Sequence, residues 1–427
     1  MTQQVTQRGL PLAGIKVVEF SHMVMGPSCG LILADLGADV VKVEPVPDGD
    51  NTRRLPGSGA GFFAAFNRNK RSLALDLKTP EGIELAKKLI LDADVVTENF
   101  RPGGIDALGL GYDVLKAGNP GLIYCSLKGF LSGPYEQRAA LDEVVQMMGG
   151  LAYMTGPPGR PLRAGASVND IMGGMFAAIG ILAALNERTR TGQGQLVKSA
   201  LFENNMFLVA QHMVQFAVTG KPAAPMPERI SAWAVYDVFR TSDDQQVFVG
   251  VVSDTQWRAF CDAFGLRDLL ADPALSGNPQ RVAARERFMP MLHELLSTFT
   301  RAEISAICEQ ARLPFAPITR PEEMFDDPHL KSPGAMIDVT LPDGRTTPVP
   351  ALPLEMKGRR FGRRLDVPRA GEHSASIAEE LGYGPDDIER LAGAGILGLG
   401  RAAAPPEQPV AGHPPEDAAT AFRRHTG

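Results

Sequence analysis

In the stretch RAGASVNDIMGGMFAAIGILAALNER, residues 163–188, one acid, Asp170, stands immediately before an uncharged run from Ile171 to Asn186. Such a carboxylate can do either of two jobs. As a cap it accepts N–H groups that a helix start leaves without partners, worth about 1 kcal/mol. As a nucleophile it attacks an electrophilic carbon and carries an acyl group through a covalent intermediate. Spacing alone favours the cap and leaves the chemistry open.

The other reactive residues are scattered. The seven histidines, His22, His212, His293, His329, His373, His413 and His425, are isolated from one another, and the four cysteines, Cys29, Cys125, Cys261 and Cys308, have no CxxC spacing. HExxH, GxSxG and Walker sequences are absent, and HMVMGPSCG follows the first β-like run where a dinucleotide-binding chain would carry GxGxxG. No metal site is expected, and nicotinamide redox chemistry is disfavoured. The cluster NRNKR with Lys70 and Arg71, followed by Lys78 ahead of a helix start, suits phosphate groups as well as it suits a solvated surface.

The elements that must position these residues are legible in outline. GIKVVEF, DVVKVEP, SLALDL, DVVTENF, LIYCSLKGF and GQLVKSAL are short Val- and Ile-rich runs bounded by Gly, Pro and Asp, separated by helix-like segments. They predict a mainly parallel α/β sheet covered on both faces. A helix over 79–93 is marked by Thr79 as cap, Pro80 at its first position and Glu81 in the first turn. Further helices are expected over about 139–150, 170–189 and 201–219. After TGKPAAPMPE the pattern changes to a hairpin in VYDVFRTSDDQQVFVGVV and helices over 254–313, a smaller α+β domain, and IDVTLPDGRTTPVP reads as a second hairpin turning at Asp343 and Gly344. Residues 401–427, rich in Pro and Ala, read as a disordered tail.

With 427 residues, 44% hydrophobic, 22% charged and a net charge of −6, the chain is a globular protein of more than one domain. The weak charge and the lack of a basic block argue against nucleic acid or an anionic membrane as partner. The uncharged run is shorter than the roughly 18 to 20 residues of a membrane span, so it reads as a buried core helix. A start without signal architecture and scattered cysteines point to the cytoplasm.

Taken in order, LAGIKVVEFSHMVMGPSCGLILADLGADVVKVEP, FNRNKRSLALDLKTPEG, DADVVTENFRPGGIDALGLGY, DEVVQMMGG, the Asp170 segment with its continuation TRTGQGQLVKSALFE, and GEHSASIAEELGYGPDDIERLAGAGIL resemble the class III CoA-transferase family, which includes formyl-CoA and carnitine CoA-transferases. The resemblance covers about residues 10–397. It implies a large Rossmann-like α/β domain built from both chain ends, 10–224 and 331–400, a small α+β domain over 225–330, and an interlocked homodimer with active sites where domains and subunits meet. The family nucleophile is the aspartate of G-x-x-x-x-D-x-x-x-G, matched by Gly165, Asp170 and Gly174, which moves the reading of Asp170 from cap to catalyst. Small residues around it, Gly165, Ala166, Gly173 and Gly174, would let a thioester approach closely. The resemblance assigns CoA contacts to His22, Met23, Val24 and Met25 after the first strand, to Leu75 and Lys78, and to Asn99 and Phe100, with Asp142 as a polar partner in the site. The acyl-CoA thioester and a carboxylic acid are substrates, and no permanently bound cofactor is implied.

Some positions depart from the pattern. Val24 stands where oxalate-using members carry Gln, and MPERISAWAVYDVF replaces their Gly-rich lid. Arg160, Arg163 and Arg229 are candidates to pair with a distal carboxylate, which makes a dicarboxylic acyl group such as succinyl a hypothesis. The nearest rival, an α-methylacyl-CoA racemase, needs a base on each face of its substrate, and AALDEVVQ lacks the His of the racemase segment. A non-catalytic acyl-CoA binder would need Lys78, Asn99 and Phe100 but not Asp170.

Overall fold

A computed structural model describes residues 9–228 and 231–400. The expected tail and Arg229 lie outside the described residues. The chain opens with β1 (Lys16–Phe20), α1 (Met25–Asp35) and β2 (Asp39–Glu44). A short α2 (Phe62–Phe66) leads to β3 (Lys70–Leu75), α3 (Pro80–Leu91) and β4 (Val95–Glu98), and α4 (Tyr112–Leu115) precedes β5 (Ile123–Lys128). Helices α5 (Asp142–Met148), α6 (Leu151–Thr155) and α7 (Val168–Thr191) come before β6 (Leu196–Ala200) and α8 (Leu201–Thr219). Each of the six runs expected to be strands forms one. As the sequence predicts, α3 starts at Pro80, and Thr79 Oγ1 accepts the Gly82 N–H at 3.2 Å.

The strands lie side by side as β3-β2-β1-β4-β5-β6, all parallel, and the two-residue strand Leu397–Gly398 adds antiparallel to β3 at the edge. This is the order of doubly wound nucleotide-binding sheets, in which the direction of winding reverses between β1 and β4. One face buries Val18, Val41, Leu73 and Val96 beneath α3, and the other buries Val17, Val40, Val95 and Ile123 beneath α1 and α7. Strands covered on both faces have no solvent side, which is why they read as unbroken apolar runs.

Helix α7 has 24 residues, long and apolar enough to cross a bilayer, and so exceeds the expectation drawn from the uncharged run. It is a core helix on one face only. Gly173, Gly174, Ala177, Ala178, Ile181 and Ala184 are buried, whereas Met175, Ile179 and Leu182 are exposed. The buried face is small because α1 lies hard against it. A Cβ on Gly174 would stand 2.7 Å from the Met25 carbonyl oxygen and 2.9 Å from the Cys29 nitrogen, so glycine sets the spacing of the two helices.

The cluster NRNKR is not a phosphate site. Lys70 is fully buried, its Nζ 2.8 Å from Glu19 Oε2, Arg68 is buried against Asp35 at 2.6 Å, and Arg71 pairs with Asp39 and Glu380, each at 2.7 Å. Acidic partners inside the same unit already hold these cations. On the neighbouring strand Lys42, also fully buried, reaches Asp50 at 3.1 Å and Glu19 at 3.5 Å.

The chain packs into two units. The first comprises the described residues up to Val145, Ala166–Asn204 and those from Gly334 onward, and holds the sheet together with the hairpin Met336–Thr340 and Thr346–Pro350, whose turn uses Gly344 at φ +86°. The second comprises Gln146–Gly165 and Asn205–Pro333. It contains the antiparallel strands Val235–Arg240, Gln246–Val251 and Phe315–Pro317, with Phe239, Trp257, Phe260, Phe288 and Leu292 in its core. Residues 146–165 and 205–224, which sequence analysis groups with the large domain, belong to this second unit. They tie to one another, since Asn205 Nδ2 donates to the Gly149 carbonyl at 2.7 Å and the Met226 N–H donates to the Met154 carbonyl at 2.8 Å.

Two substitutions test this packing. Gly174→Ala should destabilise the first unit by about 1–3 kcal/mol, because backbone cannot move aside for the added methyl. Glu19→Gln should cost about 3–5 kcal/mol by leaving two buried ammonium groups without their shared carboxylate. Urea unfolding followed by circular dichroism reads both, and stability equal to the parent would contradict the account.

Candidate functional site

Where winding reverses in an open parallel sheet, the segments leaving the strand ends diverge and open a crevice. Here those ends are Phe20 of β1 and Glu98 of β4, so His22 to Met25 and Asn99 to Phe100 meet there. Asn99 brackets one residue: its Oδ1 accepts the His22 N–H at 3.0 Å and its Nδ2 donates to the His22 carbonyl at 2.8 Å. Its own N–H donates to the Phe20 carbonyl at 3.2 Å. Asn99, expected as a CoA contact, thus acts on the backbone that carries His22. Beside it, Lys128 Nζ binds Glu98 Oε2 and the Phe100 carbonyl, each at 2.6 Å, which steadies the end of β4.

Next to this junction lies a cavity of about 460 Å³. His22, Leu75, Lys78 and Phe100, all expected at the site, line it together with Val43 and Leu108. Its exposed wall is mainly apolar, the carboxylates of Glu44, Asp50 and Asp76 also line it, and exposed Lys78 supplies a cation. The His22 and Phe100 rings lie 6.5 Å apart. Partial desolvation of the His22 ring moves its pKa below the ordinary value, against the pull of Asp50. The apolar part of this slot suits a flat ring, and Lys78 is the cation that an anionic group carried by it would meet. A larger cavity of about 750 Å³, between Val46–Arg54 and Leu341–Arg345, is lined by none of the predicted residues, which makes the smaller one the stronger candidate.

Asp170 lies in the first turn of α7, half-buried, and does not occupy the cap position. That position is Ser167, which makes no side-chain capping bond. The capping group comes from α5: Asp142 Oδ1 accepts the N–H groups of Asn169 at 2.8 Å and Asp170 at 3.2 Å. The cap of α7 is therefore supplied by Asp142 and not by Asp170. One turn beyond Asp170, the space a Gly173 side chain would fill is taken by Met25, whose Cε would stand 2.4 Å from a Cβ there. Gly173 and Gly174 thus admit α1, a correction to the expectation that they admit the thioester. Gly165 is open, with nothing within 4 Å of where its Cβ would be.

The predicted residues fall into two groups, the cavity wall and the start of α7. Val24 and Met25, both buried, connect them by running from the His22 turn into the face that meets Gly173. Met23 is exposed and has φ +62°. Arg160 and Arg163 belong to the Gln146–Gly165 segment of the second unit; Arg160 is exposed, and Arg163 Nε donates to the Ala164 carbonyl at 3.2 Å. Among the described residues no group of three or more His, Cys, Asp or Glu is arranged to hold a metal ion. Sequence reasoning overlooked the charges inside β1 and β2. The visible signal was Glu19 and Lys42 interrupting otherwise apolar strand runs.

Known proteins resemble the chain over most of its length. The model of CoA-transferase family III matches residues 12–374. The chain is 37% identical to an acyl-CoA transferase of Fusarium pseudograminearum (strain CS3096), over 90% of this chain and 88% of that one. It is 35% identical to a succinate–glutarate CoA-transferase of Agrobacterium fabrum, over 90% of this chain and 97% of that one. Among solved structures, a CAIB/BAIF family protein from Brucella suis has a TM-score of 0.78 at 36% identity, covering 87% of this chain and 99% of its own. A family match across most of the chain, joined to a parallel sheet with its crevice at the reversal point, means that the chain belongs to CoA-transferase family III and is an enzyme that transfers CoA groups.

Proposed function

We propose that this enzyme moves CoA from an acyl-CoA donor to a free dicarboxylic acid, with Asp170 as the nucleophile. The observation that carries the reading is the division of labour at the start of α7. Asp142 supplies the cap while Asp170 lies in the first turn, where the partial positive charge of the helix end favours an anion. The cavity beside His22 would receive the nucleotide end of CoA, with Leu75 and Phe100 against its ring and Lys78 near phosphate.

In this mechanism an Asp170 oxygen attacks the thioester carbon, the C–S bond breaks, and CoA leaves as thiolate, giving a mixed anhydride. The thiolate then attacks the Asp170 carbonyl; the donor acid departs as carboxylate and Asp170 holds CoA as a thioester. The acceptor carboxylate attacks that thioester and regenerates anhydride and thiolate. Attack of the thiolate on the acceptor's acyl carbon releases the new acyl-CoA and restores Asp170. Each step exchanges one anionic leaving group for another without a net proton, so the protein has to exclude water and stabilise oxyanions.

The preference for a dicarboxylic acid rests on the Agrobacterium relative, whose name joins succinate and glutarate. A homodimer is part of the reading because Met175, Ile179 and Leu182 form an exposed apolar stripe along α7.

Asp170→Asn should lower CoA transfer by at least about a thousandfold while acyl-CoA still binds. Hydroxylamine added during turnover should tag the peptide carrying Asp170 in the parent enzyme. Transfer by Asp170→Asn at the parent rate, or an untagged peptide during active turnover, would sink the covalent route. With succinyl-CoA as donor, succinate-sized diacids should exceed acetate and butyrate in kcat/KM by at least about tenfold, read from product masses. Equal use of monoacids would remove the dicarboxylate part of the proposal.

A further inference from the structure

We propose that Thr52 is a positioning residue for the transfer step, acting through the turn between β1 and α1; this rests on the reading of Asp170 above. Met23, inside that turn, holds φ +62°, a left-handed conformation that side chains other than glycine disfavour. It persists only when its surroundings impose it. Four side-chain bonds to three consecutive residues do so. Lys42 Nζ donates to the Ser21 carbonyl at 2.5 Å, Asn99 binds both sides of the His22 backbone, and Thr52 Oγ1 accepts the Met23 N–H at 3.0 Å.

The Thr52 hydroxyl is itself oriented from beneath. It donates to Asp50 Oδ1 at 2.7 Å, and the same oxygen accepts the Thr52 N–H at 2.9 Å. Asp50 Oδ2 lies 3.1 Å from the fully buried Lys42 ammonium. Burial opposes the charge on Asp50, yet Lys42 and the Thr52 bonds together hold its carboxyl below the usual carboxylate range. Thr52, nearly inaccessible to solvent, thereby has Asp50 behind it and Met23 in front, with the Met23 Sδ also 3.8 Å from its hydroxyl oxygen.

The turn decides where α1 points its first N–H groups. Val24, next to Met23, is the cap position of α1 and makes no side-chain capping bond, and Met25 packs on the face of α7 one turn beyond Asp170. Releasing Met23 from the left-handed region would re-aim this start relative to the nucleophile. His22, which lines the cavity, would remain held by Asn99. The loss should therefore fall on turnover and spare acyl-CoA binding.

Thr52→Val keeps the shape and removes the hydroxyl, and Thr52→Ser restores it. For Thr52→Val we expect kcat to fall about tenfold to a hundredfold, with KM for acyl-CoA changed by less than about threefold; Thr52→Ser should stay within about threefold of the parent kcat. Three results overturn the proposal: parental kcat in Thr52→Val, equal losses in both variants, or a raised KM with kcat unchanged. If Thr52→Val does not fold, Thr52→Ala takes its place, since it removes the hydroxyl with a smaller side chain. The same drop in kcat with KM retained is then expected, and parental kcat overturns the proposal. Asp170→Asn separates the two ideas. Its retention of activity removes the nucleophile reading, whereas an inactive Asp170→Asn beside a fully active Thr52→Val removes only the positioning role.

Discussion

Two ammonium groups share one carboxylate in the centre of the sheet. Lys70 Nζ is 3.1 Å from Glu19 Oε1 and 2.8 Å from Oε2, Lys42 Nζ is 3.5 Å from Oε1, and none of the three side chains reaches water. Charges in such a place are tolerated only when paired and hydrogen-bonded. They occupy three neighbouring strands, β1, β2 and β3, so a slip of register in any one would strand a charge in a dry interior. The arrangement is unequal. Burial lowers the Lys70 pKa to about 8, whereas Lys42, also opposed by burial, is held above its ordinary value by Glu19, Asp50 and Glu44.

The same network reaches out of the sheet. Lys42 holds the Ser21 carbonyl, and Lys70 holds the Pro27 carbonyl at 3.0 Å. The turn between β1 and α1 is thus anchored at both ends by groups that cannot move without exposing a buried charge. Through Met25 that turn meets α7 at Gly173, beside the first turn that contains Asp170. Cation pairs in the interior are in this sense the foundation of a surface site. Two aspartates stand at the start of α7: Asp142 serves its backbone, and Asp170 is the nucleophile we propose.

Much of the frame was legible in the residues. Runs such as KVVEF and DVVKVE read as strands because both faces of a parallel sheet are covered, and α3 was read to its first residue because Thr79, Pro80 and Glu81 form a local start signal. The place of Asp170 before an apolar run suggests a cap, and the family resemblance moves that reading to catalyst. The role of NRNKR was misread because its partners, Asp35, Asp39, Glu19 and Glu380, lie far along the chain. The amide of Asn99 binds the His22 backbone, 77 residues away, a bond that no local pattern marks.

Local sequence determined what depends on interactions within a few residues: strand runs, helix starts, the turn at Gly344, and an acid at the head of an apolar helix. Tertiary structure alone decided which acid caps α7, which lysines are buried, and that Gly173 and Gly174 make room for α1. Each of these depends on a partner brought close by the winding of the chain. A carboxylate 27 residues away satisfies an N–H as well as one in the preceding turn, and no local pattern marks which of them will arrive.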